Sequence, residues 1–295
     1  MGFASSGPVS IRTRAISRSK LPWWPLGILA ILIGILYFGV LVHLGGDWLH
    51  DPDYSHGFLV PLFSAFLVWR NRHTLARLPV RPTWWGLIGI VGALAVLVVG
   101  KLGAELFLTR SSLVLLLGSV VLYFLGWRWL RALLFPLAFL FLMIPIPDLL
   151  YDQISLPLQF FASHVASSML TLIGVPVLRD GNIIHLPAMT LEVAEACSGI
   201  RSLVSLMALA IIYGYLLEPT MWRRLLLLVA AVPIAVIANA VRITGTGVLV
   251  EYWSPEMASG FFHAFSGWLV FLLALFILFA FHRVLRFGGL PTSHA

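Results

Sequence analysis

Charged side chains are scarce in this chain of 295 residues: they make up only 11% of it, whereas hydrophobic residues make up 60%. The mean hydropathy is +0.98, far above the range of soluble domains. This balance excludes a soluble globular protein and predicts a chain that crosses a membrane several times. The net charge of +7 does not indicate nucleic-acid binding, because the basic residues lie in short clusters between apolar runs.

Cysteine is nearly missing as well, with Cys197 as its single instance. A lone thiol excludes an internal disulfide and a cysteine-rich zinc site. None of the nine histidines stands three or four residues from another, so neither a metal nor another cofactor is expected. Cys197 lies in the run EVAEACSGIRS, beside glutamates, a serine and an arginine. Because a packing cysteine usually has apolar neighbours, this setting favours a chemical role.

Apolar runs dominate the rest of the chain, and eight of them are long enough, with their flanks, to cross about 30 Å of hydrocarbon. They cover residues 25–42, 57–69, 84–100, 111–125, 127–144, 202–217, 225–243 and 261–281. The pattern predicts an all-α polytopic membrane protein with about eight transmembrane helices. We expect a single integral-membrane domain at 25–282, between a basic cytoplasmic N-terminal tail at 1–24 and a cytoplasmic C-terminal tail at 283–295.

The basic residues indicate how these helices are oriented. If the N-terminus is cytoplasmic, all but five of the 19 basic residues face the cytoplasm; the five are Lys101, Arg110, Arg179, Arg201 and Arg242. Since cytoplasmic loops are enriched in Lys and Arg, the predicted topology is N-in and C-in. The apolar segment 153–173 is diluted by serines, and its crossing would turn later arginines outward. We therefore expect it to lie on the outer face as an interfacial or re-entrant helix before the sixth span.

Residues 175–196, between that helix and the cysteine, change character. The turn signal Asp180-Gly181-Asn182 precedes two short β-prone runs at 183–186 and 190–193. This pattern predicts a small outward-facing β-hairpin that leads into Cys197.

The predicted topology brings three reactive side chains to the outer side of the membrane: Cys197 before the sixth span, Arg242 at the end of the seventh and His263 at the start of the eighth. A thiol attacks well only as a thiolate, and the start of a helix, a cation or a general base all promote that form. His263 is suited to take the thiol proton and return it to a leaving amine. Arg242 does not lose its proton, so it is suited to an oxyanion or a carboxylate.

Five further residues are weaker candidates for the same site. Asn239 stands three residues before Arg242, on the same helical face, and adds donors. Glu192 and Glu195 are candidates for orienting an arginine, or are solvated residues of the hairpin. Arg201 stands one helical turn after Cys197 and either lowers its pKa or extends to the lipid headgroups. His56 either lines the site or makes an interfacial hydrogen bond.

Four runs in the chain resemble the exosortases, a family of multi-spanning bacterial membrane proteins proposed to be cysteine transpeptidases. The runs are EVAEACSGIRS around Cys197, NAVRITGT around Arg242, FFHAFSGW around His263 and DPDYSHGFLVP from Asp51 to Pro61. The resemblance is closest to the exosortase A type, which is linked to exopolysaccharide production. It implies that Cys197, Arg242 and His263 form a catalytic triad on the periplasmic side of the inner membrane. It also implies protein substrates with a C-terminal PEP-CTERM signal, which consists of a Pro-Glu-Pro motif, a membrane helix and a basic tail.

Two other classes of function compete with this interpretation. A transporter would use Arg242 to bind an anion and Cys197 only for packing, but it predicts charges near mid-membrane and paired repeats, and no internal repeat is found. A non-catalytic assembly factor for exopolysaccharide export would tolerate the loss of the thiol.

Overall fold

A computed structural model of the chain describes residues 23–193, 199–254, 256 and 260–287. The helices in this part are α1 (Trp23–His50), α2 (Leu59–Arg70), α3 (Arg72–Leu75), α4 (Trp85–Leu102), α5 (Leu106–Phe124), α6 (Trp127–Phe139), α7 (Asp148–Ile173), α8 (Ile200–Leu217), α9 (Met221–Tyr252) and α10 (Gly260–Phe287). Two 3-10 helices, Pro52–Phe58 and Leu140–Met143, adjoin α2 and α6. The predicted all-α polytopic membrane fold is confirmed.

The helices that are long enough to span do not coincide with the eight predicted spans, and the number of spans stays a prediction. Among the described residues, seven helices are long and apolar enough to cross a membrane: α1, α4, α5, α7, α8, α9 and α10. The predicted spans 57–69 and 127–144 instead form the short helices α2, of 12 residues, and α6, of 13. A 3-10 helix precedes α2 and another follows α6, so a change of helix type falls within each predicted span. The hydroxyl of Ser64 in α2 donates to the carbonyl of Pro136 in α6, which ties the two short helices together.

Helix α7 covers the segment that we expected on the outer face. Its buried face is made of small and polar side chains, namely Ser155, Gln159, Ala162, Ser163, Ala166 and Ser167, with Leu170. Its exposed face carries large apolar ones, including Leu149, Ile154, Phe160, Phe161, Leu172 and Ile173. A helix with a polar inner face and an apolar outer face is suited to contact with lipid. Its placement without a crossing stays a prediction.

Helix α9 is longer than the predicted span 225–243. Its 32 residues reach about 48 Å at about 1.5 Å per residue, far more than a bilayer core requires. The prediction that Arg242 ends this helix is therefore wrong, since α9 continues to Tyr252. The extension is stabilised by packing: Ile243 and Val250 join a buried cluster with residues of α7 and of the small sheet.

The predicted hairpin is present, with one more strand than expected. Strands β1 (Leu178–Asp180), β2 (Ile183–His185) and β3 (Thr190–Glu192) form an antiparallel sheet in the order β1-β2-β3. The turn between β1 and β2 contains Gly181 at φ +61°, a conformation that glycine adopts without steric cost. The fully buried Ile184 anchors the sheet in the same cluster as α7 and the end of α9.

Helices α8, α9 and α10 pack on one another through a second apolar cluster, which includes Leu206, Leu227 and Leu278. At one end of these helices, the α8–α9 loop contributes Glu218, which is 2% exposed. In α10, the Nε2 of His282 donates to the carboxylate of Glu218 over 2.6 Å. The Nδ1 of the same ring lies 2.8 Å from the hydroxyl of Tyr213 in α8. The Nη1 of Arg223 in α9 lies 3.5 Å from the same carboxylate. We call Tyr213, Glu218, Arg223 and His282 the Glu218 cluster.

The chain divides into two compact units, residues 1–41 and 42–295. The described part of the first unit is the beginning of α1, from Trp23. All the residues predicted for the site belong to the second unit.

Candidate active site

The first turn of α8 lies directly against α9. Gly199 precedes this helix at φ +81°, and a Cβ atom placed there would lie 2.8 Å from Cγ of Asn239. Only glycine combines this left-handed conformation with such a close approach. Asn239 is 3% exposed, so the contact is buried. Cys197, two residues before Gly199, lies outside the described residues, as does Glu195.

Arg242 lies one helical turn after Asn239 in α9 and is half-buried. Its guanidinium packs against α10 at Gly267, where a Cβ atom would lie 3.4 Å from Cζ. A glycine at this position leaves room for the planar group between the two helices. His263 belongs to the first turn of α10, and its side chain is outside the described part. Gly267 follows it by four residues and so shares its helical face.

These contacts bring parts of three of the sequence motifs together. Gly199 belongs to the motif around Cys197, Asn239 to the motif around Arg242, and Gly267 to the motif around His263. Two glycine contacts join them in a row, α8 to α9 and α9 to α10. The roles assigned to the three reactive residues stay predictions.

Arg201 has a partner that the sequence did not suggest. Its Nε donates to Oδ1 of Asp53 over 2.5 Å, and the hydroxyl of Tyr151 in α7 donates to Oδ2 of the same carboxylate over 2.8 Å. Asp53 belongs to the DPDYSHGFLVP motif and lies 148 positions from Arg201, too far for any local pattern to connect them. Glu192, an alternative partner, is exposed on β3.

A cavity of about 220 Å³ opens beside the first turn of α8. Its polar lining consists of Asp53, Tyr54, His56, Tyr151 and Arg201. Its apolar walls are Phe141, Leu142, Ile144, Ile146, Ile200 and Val204. An apolar cavity with a few convergent polar groups is the usual form of a ligand site.

His56 stands at the border between this cavity and a second one of about 340 Å³. Its Nε2 donates to the carbonyl of Leu142 over 3.2 Å. Burial lowers the pKa of His56 below its usual value, although the carbonyls of Leu142 and Asp53 oppose this effect. The ring is therefore neutral at pH 7 and carries its proton on Nε2. Its Nδ1 is buried and has no hydrogen-bond partner among the described residues.

Tyr54 adds a hydroxyl to the same lining. Burial, with a further effect from the Asp51 carboxylate, raises the pKa of Tyr54 to about 12. The phenol therefore keeps its proton at physiological pH and stays a hydrogen-bond donor.

The sequence pattern of the transmembrane exosortases matches residues 48–280 of the chain. The chain belongs to the transmembrane exosortase family. The matched region contains all four motifs and all the described residues of the site, and it confirms the resemblance. Exosortases are a class of membrane cysteine peptidases and transpeptidases. No curated protein and no solved structure matches this exosortase.

Proposed function

We propose that this exosortase is a cysteine peptidase and transpeptidase that cleaves C-terminal PEP-CTERM sorting signals. It acts at the periplasmic face of the bacterial inner membrane, and its products belong to protein sorting linked to exopolysaccharide export. The observation that supports this most directly is the row of contacts from Gly199 to Asn239 and from Arg242 to Gly267. It joins the helices that carry the thiol motif, the arginine motif and the histidine motif.

The reaction follows from the chemistry of the three side chains. His263 accepts the proton of the Cys197 thiol, and the thiolate attacks the scissile carbonyl of the substrate. The guanidinium of Arg242 donates hydrogen bonds to the oxyanion of the tetrahedral intermediate. The C–N bond then breaks as His263 returns the proton to the leaving amine, and a thioester on Cys197 remains. An acceptor amine or water attacks this thioester and releases the thiol.

Asn239 has a positioning role in this scheme. It is buried between Gly199 and the turn of α9 that carries Arg242. It fixes the distance between the start of α8 and the arginine, on which oxyanion stabilisation depends.

The test is mass spectrometry of the full-length enzyme trapped with a membrane-anchored PEP-CTERM substrate. We expect a thioester adduct on Cys197, and Cys197→Ala should insert normally but accumulate uncleaved substrate. The matched control is Ser205→Ala, which also removes one polar atom from α8. Normal cleavage by Cys197→Ala would overturn the cysteine mechanism and leave a non-catalytic assembly factor.

A further inference from the structure

The cavity beside α8 starts where the motif of the candidate nucleophile ends. Ile200 and Arg201 line it, and they follow Cys197 by three and four residues. Three residues of extended chain span at most about 11 Å, so the connection along the chain limits the distance between the cavity lining at Ile200 and the backbone of Cys197 to about that length. A substrate segment next to the scissile bond is the natural occupant, provided that the proposed function holds.

Arg201 is held in the lining by one edge of its guanidinium. Its Nε is bonded to Asp53, and both oxygens of that carboxylate are in use, one by Arg201 and one by Tyr151. The terminal amino groups of Arg201 have no hydrogen-bond partner among the described residues, and 43% of the side chain is exposed. The arginine is therefore oriented by its carboxylate, with its terminal N–H groups available to a ligand.

The remaining hydrogen-bonding groups of the cavity are mostly donors. Tyr54 retains its O–H because of its raised pKa. Both oxygens of Asp53 already accept a hydrogen bond, from Arg201 and from Tyr151, and Nδ1 of His56 adds a buried acceptor without a partner among the described residues. A surplus of donors, one of them cationic, between apolar walls suits a ligand with an apolar stem and an anionic end.

We propose that this cavity is a carboxylate subsite in which Arg201 binds an acidic side chain of the substrate close to the cleaved bond. The proposal rests on the proposed function and adds a residue that determines specificity. The stem of the acidic side chain packs on Ile200 and Ile146, and the carboxylate accepts two hydrogen bonds from the terminal amino groups of Arg201. Asp53 and Tyr151 are positioning residues that hold the guanidinium in this orientation.

The experiment uses two fluorescent substrates that differ only in carrying Pro-Glu-Pro or Pro-Gln-Pro before the same membrane helix. Full-length enzyme in nanodiscs is measured in two ways: the cleavage rate with active enzyme and the Kd with Cys197→Ala. We expect the Glu substrate to be preferred by on the order of 10-fold to 100-fold in both, as for a charge-assisted hydrogen-bond pair. Arg201→Gln should bring the Glu-to-Gln ratio close to one in both measurements. Arg201→Lys, which retains the charge, should leave an intermediate ratio.

Two matched controls separate this role from others. Arg179→Gln removes an exposed arginine of β1 and should leave the preference intact. Arg242→Lys should slow both substrates by the same factor, because an oxyanion partner does not distinguish Glu from Gln.

The outcomes are distinguishable. If Arg201→Gln reduces the binding and cleavage of both substrates equally and the preference for Glu persists, the Arg201–Asp53 pair only stabilises the fold. The proposed subsite would then be wrong. If no wild-type cleavage is seen but the Kd still favours Glu through Arg201, the subsite holds and the proposed function fails. If wild-type enzyme binds both substrates equally, the subsite is overturned whatever the cleavage shows.

Discussion

The two ends of the bundle formed by α8, α9 and α10 differ in how deeply their charged side chains are buried. In the Glu218 cluster, the side chains of Glu218 and His282 are each 1% exposed and are hydrogen-bonded to each other. At the other end, Arg201 is 43% exposed and Arg242 is half-buried against a glycine. Buried charges with matched partners stabilise a fold, whereas partly exposed charges remain accessible to a ligand. The comparison therefore favours anchoring at the end with the Glu218 cluster, and the proposed chemistry belongs to the other end.

The physical reason is the cost of desolvation. An ionised group inside a membrane protein is stable only when its partners replace the lost water. The Glu218 carboxylate meets this condition with His282 and Arg223, and its backbone carbonyl accepts from Nε of Arg224 over 2.8 Å. A binding site needs the opposite state, in which hydrogen-bond capacity is left for the ligand.

The largest effect is expected from reporter fusions, since each fusion reports either a cytoplasmic or an external position. Fusions after Arg77 and Arg223 should report cytoplasmic, and fusions near Asp148 and Asp180 should both report external, because of the asymmetry in basic residues. Asp148 begins α7 and Asp180 follows it, so this pair tests directly whether α7 crosses. Opposite signals at the two positions would show that α7 crosses the membrane. The two ends of the α8–α10 bundle would then face the opposite sides of the membrane from those predicted.

Glu218→Ala should have the largest effect on stability. Removing one partner of a buried ion pair costs about 3–5 kcal/mol, which corresponds to a fall in Tm on the order of 10 °C. Thermal unfolding in detergent measures this change. Glu192→Ala, at an exposed position of β3, is the matched control and should change stability by less than about 0.5 kcal/mol. Equal Tm values for the two variants would show that the Glu218 cluster does not anchor the bundle.

Arg242→Lys should affect catalysis rather than stability. Lysine keeps the charge but loses the planar set of donors, so we expect cleavage to fall on the order of 100-fold, as for the loss of an oxyanion donor. The Tm should stay close to that of the wild type, because the guanidinium is only half-buried. Near-normal cleavage would mean that charge alone matters at this position.

Gly199→Ala tests the contact that joins α8 to α9. The added Cβ would meet Asn239 at 2.8 Å and would require a residue at φ +81°, so we expect a loss of about 1–3 kcal/mol in the free energy of unfolding. Gly245→Ala is the control: no atom lies within 4 Å of its Cβ position in α9, and helix propensity favours alanine there by up to about 1 kcal/mol. Similar changes in the two variants would contradict a close α8–α9 approach.

The smallest effect concerns pH. Burial lowers the pKa of His56 in the folded state, so the unfolded chain binds a proton first as the pH falls. Stability is therefore complete above the usual value of about 6.5 and declines as the pH falls from there towards the folded pKa. His56→Gln keeps a donor for the Leu142 carbonyl and should flatten this decline. A Tm series from pH 8 to pH 5 provides the measurement, and parallel curves would refute the assignment.

Much of the fold follows from local patterns that the sequence displays. The apolar runs predicted the long helices because the cost of burying backbone in lipid acts on each segment by itself. The turn at Asp180-Gly181-Asn182 was predicted from its residues because Asp, Gly and Asn favour turn conformations locally. The predicted ends of the helices were less accurate. Helix α9 extends past Arg242 because its last turns pack on α7 and the sheet, and no local pattern reveals this packing.

The sequence by itself determined the class of protein, the positions of its long helices and the motifs that identify an exosortase, because hydropathy and residue type act locally. Only the tertiary structure decided which charges meet. Arg201 pairs with Asp53 and His282 pairs with Glu218 across 148 and 64 positions. Such pairs form only after packing removes water from both groups and holds them at hydrogen-bonding distance, so their partners depend on the fold as a whole.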